Sequence, residues 1–144
     1  MPQPVSDQLR PDFTGIWRAN LEKSVLRGPS ATQIVCRIEH REPHLQQEIL
    51  FTPANGSEQR ALFNYTTAGE ETANQIGDRT ARTRARWEGS DLAIESWLDT
   101  PARQLHFKDH WSLSCDGRTL TMAHRDDDLA GQIVVYDKDT SWKT

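Results

Sequence analysis

The chain has 144 residues, a formal net charge of −4 at pH 7, 35% hydrophobic and 26% charged residues, and a mean hydropathy of −0.74. That length suits one domain. No apolar run reaches the roughly 20 residues of a membrane-spanning helix, the acidic balance argues against a nucleic-acid partner, and Cys36 and Cys115 form neither a zinc motif nor a disulfide framework.

Low hydrophobicity alone would suggest disorder. Five Trp, four Phe and two Tyr spread along the chain argue instead for a folded domain with a small, ring-rich core. Residues 1–11 are aperiodic and contain Pro and Gln, so they read as a mobile lead-in to a domain spanning 12–144. They include no hydrophobic signal region. The chain as given is therefore expected in the cytoplasm, or in the periplasm or outside the cell had a signal been removed.

From Asp12 onward the pattern has period two. Strands are predicted at Phe13–Asn20, Thr32–Arg41, Leu45–Phe51, Arg60–Thr67, Glu71–Ile76, Thr80–Trp87, Leu92–Leu98, Leu105–Leu113, Thr119–Arg125 and Gln132–Asp137. The best helical candidate, Leu21–Leu26, allows one or two turns at most. Asn55-Gly56 is expected to form a tight hairpin turn with positive φ. Glu88–Asp91 and Ser114–Gly117 close two more hairpins, with Gly117 as the left-handed residue.

Sequential hairpins make a meander, and closure is the usual way to remove its two edges. The expected fold is all-β: a single up-and-down antiparallel barrel of about 8–10 strands, with a sandwich as the alternative. In the second hairpin Trp87 should face Leu92, Ala85 Ile94, Thr83 Ser96, Arg84 Glu95 and Arg82 Trp97, with apolar groups on one face and charges on the other. In the third, a four-residue loop would set Trp111 opposite Leu120 and Asp109 opposite Met122.

Asp12-Phe13-Thr14-Gly15-Ile16-Trp17-Arg18-Ala19-Asn20 with Glu22-Lys23-Ser24, Ile38-Glu39-His40, Trp87 through Ser96, and Trp111 through Thr121 together resemble a group of small bacterial lipocalin-like, calycin-type barrels that begin with a Gly-x-Trp strand. The resemblance implies that Trp17 closes one end of the barrel and that a late-strand Arg, for which Arg125 is the candidate, packs on it. It implies a cup for a small, mostly apolar molecule. The chain is shorter than classical lipocalins.

The apolar face of such a meander points inward. Trp17, His40, Tyr65, Trp87, Ser96, Trp111 and Met122 fall on it and are the candidate ligand contacts. Buried polar groups need partners, which singles out His40, Tyr65, Asp109 and His124. Asp109 and His124 lie on neighbouring strands, and a carboxylate beside an imidazole is one way to build a general base. They are the candidate catalytic pair, against the plainer reading of a solvated Asp109 paired with Arg125 or Lys108. Trp97 is expected outside, against Arg82. Arg79, Arg82, Arg84 and Arg86 form a basic stripe that the acids of the partner strand should neutralise. Asp126-Asp127-Asp128 lacks calcium-loop spacing and reads as a solvated turn. Cys36 is expected buried and Cys115 exposed, both as free thiols.

No Gly-x-Ser-x-Gly, His-Glu-x-x-His or Gly-rich phosphate loop occurs, so neither cofactor nor metal is expected. Two functions remain. One is binding of a small hydrophobic or aromatic molecule in the cup. The other is a cofactor-independent isomerase, cyclase or hydratase using Asp109 or His124 as base. Oligomeric state is open, with a homodimer one option, and a filled barrel without a site is the third reading.

Overall fold

The computed structural model describes residues 10–27, 30–126 and 131–140. Every segment with alternating character forms a strand. They are β1 Gly15–Ala19, β2 Ala31–Arg41, β3 His44–Pro53, β4 Gln59–Thr66, β5 Ala68–Ile76, β6 Arg79–Glu88, β7 Asp91–Asp99, β8 Gln104–Leu113, β9 Thr119–Asp126 and β10 Gln132–Lys138. They pair antiparallel in one sheet in the order β4-β3-β2-β1-β10-β9-β8-β7-β6-β5, a meander in which β1 and β10 meet. The result is a nearly closed up-and-down barrel.

The two edges, β4 and β5, face one another across a seam that side chains bridge. The Asn64 amide donates to Asn74 Oδ1 at 2.7 Å, while Asn74 Nδ2 and the Thr72 hydroxyl donate to the Asn64 carbonyl at 3.0 and 2.9 Å. Asn74 thus does the work of a ladder residue for backbone groups that would otherwise lack partners.

The β6–β7 register is the one expected, from Glu88 opposite Asp91 to Arg82 opposite Trp97. Ala81, Thr83, Ala85, Leu92, Ile94, Ser96 and Leu98 are buried. The arginine stripe lies outside, where Arg84 pairs with Glu71 at 3.8 Å and Arg86 with Glu88 at 3.5 Å. Trp97 is also outside, stacked on His106 with centroids 5.3 Å apart. Cys36 is buried and Cys115 exposed, both free.

Four local expectations are corrected. Leu21–Leu26 is not helical: residues 21–23 form a single turn, with the Ser24 hydroxyl on the Asn20 carbonyl, after which Val25 forms a bridge to Ile133. Gly56 lacks the expected positive φ. Pairing runs out to Phe51 opposite Gln59, and the 54–58 connection is wider than a two-residue turn. The third hairpin is two residues wider than expected. Ser114 accepts from the Thr119 amide and donates to Asp116, setting Leu113 opposite Leu120 and Trp111 opposite Met122. Because the error is two residues, every side chain keeps its face. Finally, the cation over Trp17 is Lys138 on β10, 5.5 Å from the ring, while Arg125 lies on β9 opposite Lys108.

One end of the barrel is sealed. Phe13 stacks on His40 and Trp87 and meets Trp111 edge-on, at 5.6, 5.9 and 5.4 Å. Trp17 is fully buried and donates its indole N–H to the Phe13 carbonyl at 2.9 Å. Gly15 has φ of 153°, and a β-carbon there would come within 3.1 Å of Lys138 Cε. The glycine of Gly-x-Trp therefore combines an unusual backbone angle with the close approach of the lysine that covers Trp17.

Candidate functional site

His40 Nδ1 accepts the Phe13 amide at 3.2 Å, so its proton sits on Nε2, which donates to Glu42 Oε2 at 2.5 Å. The Trp87 indole and the Thr67 hydroxyl donate to the same carboxylate at 2.9 and 2.8 Å. Burial alone would raise the Glu42 pKa. The donors from His40, Trp87 and Thr67 outweigh it and hold the carboxyl below the usual range. Trp17, His40 and Trp87 are therefore floor residues rather than cavity lining. Glu42, which ties two of them together, lies in a turn between strands and carries no period-two signal.

Above the floor the barrel is hollow. A cavity of about 390 Å³ is lined by apolar groups, among them Ile49, Phe63, Phe107, Trp111, Met122 and Val134, and by Gln47, Tyr65, Thr83, Ser96, Asp109 and His124. That volume is within the range of small-ligand pockets. A smaller pocket of about 180 Å³ shares Ile49, Gln132, Val134 and Tyr136 with it. A larger recess of about 550 Å³ shares Asp109, His124 and Gln132 with the cavity and has a mixed lining in which Arg86, Glu88, Lys108 and Arg125 stand beside Ala93, Ala123 and Ile133. The apolar lining marks the inner cavity as the candidate site.

Tyr65, Ser96, Trp111, Met122, Asp109 and His124 are thus brought together on one cavity, as their strand faces implied. Asp109 and His124 stand directly opposite one another, with His124 Nδ1 2.8 Å from Asp109 Oδ1. Asp126, two residues along β9, takes the other ring nitrogen at 2.7 Å. Phe107 stacks on the ring at 5.6 Å. Carboxylates only accept, so both ring N–H groups donate and the imidazole is held as a cation. Its pKa is raised, first by the Asp109 hydrogen bond, against the opposing effect of burial, and then by the charges of Asp109 and Asp126. Both of its nitrogens are occupied, so His124 has no free lone pair in this arrangement. Asp127 and Asp128 lie outside the described residues.

Deeper in, the Tyr65 hydroxyl donates to Gln47 Oε1 at 3.0 Å, and the Gln47 amide points at two sulfurs, Cys36 Sγ at 3.4 Å and Met122 Sδ at 3.7 Å. Thr83 and Ser96 pair their hydroxyls at 3.3 Å. Gln47 shares a strand face with Leu45 and Ile49 by period two, but a lone Gln between apolar residues carries no motif. Asp126 was legible only as part of an acidic run.

No family model and no curated protein matches the chain. Solved structures do. A secretory abundant heat soluble protein of Ramazzottius varieornatus superposes with TM-score 0.66 at 14% identity, over 91% of this chain and 98% of that one. Apo lipid binding protein 8 of Caenorhabditis elegans gives 0.58 at 10% identity, over 96% and 99%. Fatty-acid-binding protein 1 of Echinococcus granulosus gives 0.55 at 10%, over 88% and 96%. The fold is that of these calycin-type barrels. The ten strands among the described residues exceed the eight of lipocalins.

Proposed function

We propose that this protein binds a small hydrophobic or aromatic molecule inside the barrel. The observation that carries this reading is the cavity of about 390 Å³ above a sealed aromatic floor, mostly apolar, with polar groups converging at defined points. Ligand carbon buried against Ile49, Phe63 and Trp111 supplies affinity at about 25 cal/mol per Å² removed from water. Gln47, Tyr65 and the Asp109–His124 pair orient the ligand. Two neighbours of the same fold named for lipid and fatty-acid binding support it.

A polarity-sensitive fluorophore tests the reading directly. It should brighten on mixing with the protein and be displaced by small apolar molecules. A Trp111→Phe variant should alter the bound spectrum, because Trp111 lines the cavity. A dye that neither brightens nor protects against hydrogen exchange around β8 and β9 would refute the proposal. Proton-transfer catalysis is the second reading and rests on the 2.8 Å contact between Asp109 and His124. It requires His124 to release one of its two carboxylates first.

A further inference from the structure

The charges around the cavity bear on what polar end a ligand can carry. Among the described residues lining it there is no Lys or Arg. Its charged groups are Asp109 and His124, and the His124 cation is already shared between Asp109 and Asp126, leaving the trio net negative. Arg27 borders the smaller neighbouring pocket, where it is solvent-exposed and its Nε donates to the Gly131 carbonyl at 3.4 Å. Arg86, Lys108 and Arg125 line the outer recess that meets the cavity at Asp109, His124 and Gln132, and their own side chains do not line the cavity.

Three acidic groups already inside the barrel report on the same environment. Burial pushes the Cys36 thiol up to about 12. Burial also raises the Tyr136 hydroxyl well above its ordinary value. Tyr65 is raised by burial and further by the charge of Asp109. Each shift disfavours an anion. A ligand carboxylate placed among these groups would meet the same desolvation and the same field.

A neutral oxygen would fare differently. Gln47 is buried, and its amide donors face sulfur atoms, which are weak acceptors. The Tyr65 hydroxyl has committed its proton to Gln47 and keeps lone pairs that can accept. A ligand hydroxyl can accept from the one and donate to the other, and a carbonyl can accept from the first.

We propose that the cavity selects molecules whose polar end is a neutral hydroxyl or carbonyl oxygen and discriminates against carboxylates of the same chain length. This rests on the hydrophobic-binding reading above. The test is competition of decanol and decanoate against a cavity-bound fluorophore on the full chain, at neutral pH and low salt. Decanol should displace the dye, with decanoate at least about tenfold weaker. Asp109→Asn should narrow that gap. Decanoate competing as well as decanol would overturn the proposal while leaving hydrophobic binding intact. Displacement by neither would overturn both. A gap unchanged in a folded Asp109→Asn variant would overturn the assignment of the selection to the cavity's negative charge. Should that variant fail to fold, the comparison on the unaltered chain still decides.

Discussion

At the floor, Phe13, Trp17, His40, Trp87 and Trp111 interlock, and one carboxylate, Glu42, gathers the donors left over. At the mouth, Phe107 and His124 are half-buried, and the charged groups are held by one another rather than by surrounding rings. The barrel is the same sheet throughout, so the contrast comes from side chains alone. Dense apolar contact supplies stability because dispersion and burial both scale with close packing. A mouth filled as densely would leave no entry for a ligand. Stability is therefore concentrated at one end and access at the other.

Paired truncations test that division most severely. Trp17→Ala empties a fully buried site that does not line the cavity, and should cost about 3–5 kcal/mol in urea unfolding. Phe107→Ala, at the mouth, should cost about 1 kcal/mol while weakening ligand binding, since Phe107 lines the cavity and packs on His124. Similar stability losses from the two would break the comparison.

Glu42→Ala comes next. It leaves the buried His40 N–H and the Trp87 N–H without their acceptor, a loss of about 1–3 kcal/mol at neutral pH. The pH dependence has a definite sign. The folded carboxyl lies below its unfolded value, so its contribution is complete above the unfolded pKa, about 4.3, and is lost as pH falls through the folded one. The difference between Glu42→Ala and the unaltered chain should shrink on acidification, and unfolding curves at neutral and acid pH check it.

Asn74→Ala addresses the wall between the two ends. It removes two hydrogen bonds to the Asn64 backbone and should cost about 1 kcal/mol, with faster amide exchange at Asn64 and no change at the floor.

How much of this was legible in the sequence follows the same geography. Strand positions and inward faces were readable because alternation is enforced wherever one face of a strand is buried, and the β6–β7 register followed from Trp87, Ala85 and Thr83 meeting Leu92, Ile94 and Ser96. Connections were less readable. Val25 is pulled into a bridge by Ile133, a residue over a hundred positions away, so a local helical pattern had no say. The Ser114–Asp116 hydrogen bond widened a loop whose Gly117 behaved as expected. Trp17, His40 and Trp87 shared the inward face with Tyr65 and Trp111, and nothing in period two says how deep along the barrel a residue sits. Depth is a property of the closed cylinder, and it separates floor from cavity.

The mouth should respond to pH in the opposite direction from the floor. His124 is held as a cation by Asp109 and Asp126, with its folded pKa above the unfolded value of about 6.5. Its contribution is therefore complete below that value and is lost as pH rises through the folded pKa. Acid loosens the floor through Glu42, and a rise in pH through the folded His124 pKa loosens the mouth. The effect is small, because the imidazole is partly exposed and water screens it. NMR titration of the His124 ring should give a midpoint above about 6.5, lowered by Asp109→Asn, with exchange near Asp109 and His124 rising at higher pH while Phe13 and Trp17 stay protected. A midpoint at or below the ordinary histidine value would show that the two carboxylates do not hold the ring, and the electrostatic half of the contrast between the ends would go with it.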